Sequence, residues 1–148
     1  MSTFLVTGLG HSGTAYLAYQ LGKAPGWRVE HEPEPKTYAA WLAKNRYRRA
    51  YEAGENYGEV NSYLLAGALE MRTGLTQYGV LLRNPYDVLA SIAKPGQEEW
   101  ATIYVREGLA RIDSLLARGF MPIRFREITM DPLAVVNVAR LLGIYTLA

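Results

Sequence analysis

The chain contains no cysteine among its 148 residues. It can form no disulfide and use no thiolate as nucleophile or ligand, and redox usage does not report its compartment. It also lacks any apolar run near the ~20 residues a membrane helix needs. No basic stretch precedes an apolar one at the N-terminus, so neither a membrane span nor a signal peptide is expected, and cytoplasmic is the default location. A surplus of one charge sign is missing too. The formal net charge is +2, too small to point to nucleic acid and compatible with a small anionic ligand. Internal repeats and low-complexity segments are absent. What remains is a globular composition, 49% apolar, whose length predicts one domain spanning 1–148 with a real core.

The stretch Phe4–Gln20 organises the rest. Phe4, Leu5 and Val6 form a short apolar run suited to a buried strand, and Gly8, Gly10 and Gly13 follow within a few residues. From Thr14 onward Ala15, Leu17, Ala18 and Leu21 recur at helical spacing. Strand, glycine-rich turn and helix together aim free backbone N–H groups, at the positive end of a helix dipole, into one concavity that suits phosphate or sulfate. Glycines let the backbone turn tightly and approach an anion closely, and Ser12 and Thr14 add hydroxyl donors. Gly8 and Gly13 match the Walker A spacing, but Thr14 stands where that motif has lysine. The missing lysine argues against an ordinary ATPase, GTPase or kinase.

Further along, Trp27–His31 reads as a second strand that ends in the polar cluster His31-Glu32-Pro33-Glu34-Pro35, where two prolines stop it. A helix is expected over Lys36–Ala53, a break at Gly54–Gly58, and another helix over Ser62–Arg72. Tyr78–Arg83 is an uninterrupted strand of the covered parallel type. Pro85 is placed to start a helix running to about Lys94. The longest helical pattern covers Glu98–Arg118, with Val105, Leu109, Ile112 and Leu116 on one stripe. A last strand over Met121–Phe125 and a helix over Asp131–Leu142, closed by Gly143, complete the alternation. The fold class expected is α/β, a P-loop-type parallel sheet of about five strands with helices on both faces. Ligands of such sheets lie beyond the carboxyl ends of the strands. That singles out Thr7–Thr14 as an anion cradle, His31–Glu34 as a carboxylate and imidazole cluster, and Arg83–Asp87 as a guanidinium site.

Two motifs make the chain resemble the P-loop sulfotransferases that use 3′-phosphoadenosine 5′-phosphosulfate. The first is G-H-S-G-T at Gly10–Thr14, similar to the family's 5′-phosphosulfate loop. The second is L-R-N-P-Y-D-V-L-A-S at Leu82–Ser91, similar to its 3′-phosphate element, an Arg at a strand end and a Ser eight residues on. The closing R-E-I-T-M-D-P segment and the helix ending L-L-G-I also fit, so the resemblance covers most of the chain. It implies transfer of a sulfuryl group to a hydroxyl or amine acceptor, such as a carbohydrate or other small molecule, with no metal required and adenosine 3′,5′-bisphosphate as product. By the same resemblance Gly10, His11, Ser12, Gly13, Thr14, Arg83 and Ser91 bind the cofactor. Arg83 can grip a phosphate through two parallel N–H bonds, which a lysine cannot. The alternative for Arg83 is an ion pair with Asp87, an acid otherwise suited to the first turn of its helix.

Sulfuryl transfer needs a base for the acceptor, and the family uses histidine or glutamate. Glu32 is the favoured base, with His31 as its neighbour or a substrate contact and Glu34 a lesser candidate. Strand alternation predicts that His31 and Glu32 do not both face the pocket. Glu59 and Asn61 read as a helix cap or as a substrate contact. Two departures stand out. His11 replaces the usual Lys or Arg, so it joins Glu32 and His31 among the candidate catalytic groups. An imidazolium would restore the charge, so tighter cofactor binding is expected in mild acid. The sequence also ends at Ala148, before the basic, glycine-containing loop the resemblance implies. The expectations there are a more open site, closure by a second subunit as a homodimer, or lost activity. Lys36–Asn56, with Tyr38, Trp41 and Tyr47 among basic residues, is the candidate acceptor-facing lid. Two further functions stay open: a non-catalytic adenosine-phosphate binder and a kinase-like nucleotide-binding protein.

Overall fold

A computed structural model describes residues 1–36 and 45–147. Five parallel strands form one sheet: β1 (Thr3–Gly8), β2 (Trp27–His31), β3 (Asn56–Val60), β4 (Gln77–Leu82) and β5 (Met121–Arg124), in the spatial order β2-β3-β1-β4-β5. Among them run α1 (Thr14–Leu21), α2 (Arg46–Glu52), α3 (Ala68–Met71), α4 (Pro85–Ile92), α5 (Glu98–Ala117), α6 (Phe125–Met130) and α7 (Pro132–Leu141). No helix among the described residues is long and apolar enough to cross a membrane.

The alternation of side chains along β1 builds both layers of the core. Leu5 points into a layer with Tyr47 and Ala50 of α2, Val88 and Ile92 of α4, and Ala101, Val105, Ile112 and Leu115 of α5. Phe4 and Val6 point the other way, against Leu17 and Leu21 of α1, Ile128 of α6 and Val135 and Ala139 of α7. All three β1 residues are fully buried, and each contributes roughly 1.5–3 kcal/mol from leaving water. That makes β1 the central strand. The chain leaves β1 toward β2 and β3, then crosses to β4 and β5. The reversal between β1 and β4 opens a crevice at their carboxyl ends.

Four of the strands follow the sequence reading, and β3 does not. Its sequence N-Y-G-E-V falls partly in the expected break at Gly54–Gly58. Gly58 is there because the Phe4 ring packs where a Cβ would stand. The expected helix over Ser62–Arg72 is a 3₁₀ turn, Ser62–Gly67, continued by α3 and a second 3₁₀ turn, Arg72–Gly74. Asn61 caps it by accepting the Tyr63 N–H at 3.0 Å. Of the helix expected over Lys36–Ala53, the described part is α2, capped by the Asn45 side chain. Tyr38 and Trp41 lie outside the described residues. The last strand stops at Arg124, and Phe125 opens α6 instead.

Candidate functional site

All five strand ends feed one cleft of about 930 Å³, near the upper end for a small-molecule site. The loop after β1 brings Gly10–Thr14. Beyond β2 stand His31 and Glu32, beyond β3 Ser62 and Tyr63, beyond β4 Arg83, and after β5 Phe125. Helix α5 closes the opposite wall with Trp100, Tyr104 and Gly108.

The loop is built to leave amides free. Gly13 is the N-cap of α1 at φ 100° and gives no side-chain cap. The Phe125 ring occupies the place of its missing Cβ, so both conformation and packing demand glycine. The N–H groups of Gly13, Thr14, Ala15 and Tyr16 find no acceptor among the described residues, and the α1 dipole adds partial positive charge there. Ser12 turns inward instead. Its side chain is buried and donates to the Leu9 carbonyl, so it shapes the loop and its hydroxyl does not face the cleft. Gly10 donates its N–H to the Tyr104 hydroxyl at 2.8 Å. The loop comes close to α5 because Leu9 fills the space beside Gly108.

Arg83 extends beyond β4. It donates through Nη1 to the His11 carbonyl at 2.6 Å, and its guanidinium lies 4.5 Å from the centre of the Phe125 ring. The Nε atom is buried without a hydrogen-bond partner among the described residues. A buried guanidinium N–H left unpaired costs free energy. No described ion pair joins Arg83 to Asp87, which occupies the first turn of α4 behind the cap made by Asn84. Ser91, near the end of α4, meets Nδ1 of His11 at 2.8 Å.

At the other end, Glu32 Oε1 accepts from Ser62 at 2.7 Å and Thr14 at 3.3 Å. His31 Nε2 lies 3.4 Å from the same oxygen and 3.0 Å from Thr14 Oγ1. The expectation that only one of the two would face the pocket is therefore corrected. β2 ends at His31, and Glu32 takes a left-handed backbone, φ 45°, so strand alternation no longer applies and both line the cleft. Oε2 of Glu32 has no partner among the described residues and is not sealed from solvent. Glu34 points away, 77% exposed and paired with Lys36 at 3.9 Å.

Glu59 is corrected as well. It is fully buried in β3, held by Arg46 Nη2 at 2.7 Å and Nε at 2.8 Å, the Tyr57 hydroxyl at 2.9 Å and Asn61 at 3.1 Å. It neither caps a helix nor reaches the cleft. Burial disfavours the Arg46 charge, yet the bidentate contact with Glu59 leaves its pKa raised overall. Burial, then the Glu59 charge, also holds the Tyr57 and Tyr47 phenols well above their ordinary value. Tyr47, placed in the lid from sequence, is a core residue whose hydroxyl donates to the Phe4 carbonyl at 2.6 Å.

Ser62, Trp100, Tyr104, Gly108 and Phe125 line the cleft without having been singled out from sequence. The one available signal was a glycine inside a long helix. Trp100 and Tyr104 stack with rings 5.5 Å apart and 7° from parallel, forming a flat aromatic face.

No protein-family model matches the sequence, and no curated protein matches it either. In three dimensions the chain is similar to the crystal structure of a sulfotransferase from Alicyclobacillus acidocaldarius, with a TM-score of 0.65 at 20% identity over 97% of this chain and 81% of that one. The architecture laid out here, a parallel five-stranded α/β sheet with its cleft at the strand ends, is thus a sulfotransferase-like fold.

Proposed function

We propose that the chain is a sulfotransferase that uses 3′-phosphoadenosine 5′-phosphosulfate and a hydroxyl acceptor. The observation that carries this reading is the convergence of two anion-holding groups on one cleft. One is the row of free amides at Gly13–Tyr16, the other Arg83 with Ser91. The fold likeness supports it. The residues fit a nucleotide with anionic groups at two positions: the amides donate to one, and Arg83, which lines the same cleft, is the cation for the other.

When bound, that cofactor supplies the activated sulfuryl group. The chain's own residues do the rest. The amides of Gly13–Tyr16 and the α1 dipole hold the 5′ anion without reorganising, which is where preorganised donors contribute most. Glu32 takes the acceptor proton on Oε2, while Ser62 and Thr14 fix Oε1 and so the orientation of the carboxylate. His31 steadies the same pair through Thr14. The Trp100–Tyr104 face and Tyr63 line the remaining wall, a surface suited to the ring of a carbohydrate acceptor. A cytoplasmic, metal-independent enzyme acting as one domain belongs to the same proposal.

A non-catalytic adenosine-phosphate binder is the second reading, favoured by a loop with no lysine or arginine. Thermal stabilisation by adenosine 3′,5′-bisphosphate, in the parent chain and in Arg83→Ala, is the first test. At a hundred times its dissociation constant the ligand should add roughly 2.7 kcal/mol, and Arg83→Ala should remove most of it. Stabilisation only by magnesium and ATP would instead favour a kinase-like protein. Transfer of labelled sulfate to a panel of sugars, phenols and lipids then separates the enzyme from the binder; no transfer to any of them would leave the binder.

A further inference from the structure

We infer that His11 is a 3′-phosphate residue, and that this end of the site discriminates nucleotides by charge. The inference rests on the proposed function in taking Arg83 and Ser91 as the 3′-phosphate element. Position in the loop assigns His11 to the 5′ side, beside Ser12 and Gly13. The geometry turns it the other way. His11 has a left-handed backbone, φ 64°, and its ring reaches across to α4, where Nδ1 meets Ser91 Oγ at 2.8 Å. Its carbonyl is held by Arg83 Nη1 at 2.6 Å. Both residues of the 3′ element therefore grip His11, one by the backbone and one by the ring. Nε2 has no partner among the described residues and His11 lines the cleft.

The two ends of the site then differ in kind. Around the free amides, the Thr14 hydroxyl is engaged with His31 and Glu32, and the loop and first turn of α1 from Gly13 to Tyr16 carry no cationic side chain. Near Ser91 stand the His11 imidazole and, through the His11 carbonyl, the Arg83 guanidinium; Lys94 and Arg111 also line the cleft. Charge-assisted hydrogen bonds are roughly twice as strong as neutral ones. Affinity should therefore come mainly from the 3′ group, and His11 should contribute to that group alone.

Isothermal titration with three probes tests this: adenosine 3′,5′-bisphosphate, adenosine 3′-monophosphate and adenosine 5′-monophosphate. In His11→Ala, the two 3′-phosphorylated nucleotides should weaken by about tenfold, equivalent to about 1.4 kcal/mol, and the 5′-monophosphate by less than about twofold. His11→Gln, which keeps a donor, should fall between. Ser91→Ala gives a second route, because the double variant should lose less than the sum of the singles for the 3′ probes only. Equal weakening of all three nucleotides would return His11 to the 5′ side and overturn the inference while leaving the sulfotransferase reading intact. Unchanged affinities in His11→Ala would overturn it too. If the parent chain bound none of the probes, both would fall.

Discussion

Two carboxylates one strand apart have opposite fates. Glu59, inside β3, is sealed from water and has both oxygens occupied by Arg46, Tyr57 and Asn61. Glu32, one residue past β2, has one oxygen fixed by hydroxyls and the other open to the cleft. The difference lies in what each acid is paired with and how much water reaches it. A carboxylate locked by a bidentate guanidinium in a dry layer holds structure and has no oxygen to offer a substrate. One held by neutral hydroxyls at a strand end keeps its orientation and a free lone pair, as a base requires. Arg46 also ties the two regions together, since its Nη1 donates to the Pro35 carbonyl at 3.2 Å and so anchors the segment beyond Glu32.

The largest effect that tests this contrast comes from Arg46→Ala. It strands a buried charge on Glu59, and urea unfolding should show a loss of about 3–5 kcal/mol; a loss under about 1 kcal/mol would mean Glu59 is not the structural acid described. Glu32→Gln should do the reverse. Under the proposed function, sulfuryl transfer should fall roughly 10²–10⁴-fold, while the unfolding midpoint hardly moves. Loss of stability without loss of transfer would exchange the roles of the two acids. Next in size is Gly58→Ala, beside Glu59. The new methyl meets the Phe4 ring and should cost roughly 1–3 kcal/mol, with nucleotide affinity unchanged by titration; weakened binding would show that β3 shapes the cleft directly.

The smallest effect concerns the phenols around Glu59. Tyr47 and Tyr57 have raised pKa values, so the folded chain keeps protons that the unfolded chain releases near the ordinary tyrosine value of about 10. Their contribution to stability is complete below that pH and declines above it. An absorbance titration should find Tyr47 and Tyr57, among the 11 tyrosines, silent until the protein unfolds. Ionisation of all 11 while the circular dichroism stays native would contradict a sealed network.

The local parts of the site were legible in sequence because they depend on neighbours along the chain. The Gly8–Gly13 turn into α1 and Pro85 opening α4 behind Asn84 are of this kind. β3 was not legible. Its glycine and its carboxylate are poor strand signals in isolation, and they are tolerated only because Phe4 and Arg46 arrive from elsewhere. Tyr47 looked like a surface aromatic among arginines until α2 was laid against the sheet. Phe125 read as the end of a strand, and Tyr104 as one more position on a long helix. Their roles appear only where Gly13 and Gly10 touch them.

Sequence alone determined that a strand, a glycine loop and a helix would present free amides, and that an arginine would stand at the end of a second strand. Backbone geometry and hydrophobic spacing act over a few residues, and those preferences can be read directly. Which way His11 faces, which of two acids keeps an open oxygen, and how α5 comes to rest on the loop were decided by tertiary structure. His11 and Ser91 are 80 residues apart, and Gly10 and Tyr104 are 94 apart. Contacts at that separation depend on how whole layers pack, which no local preference encodes.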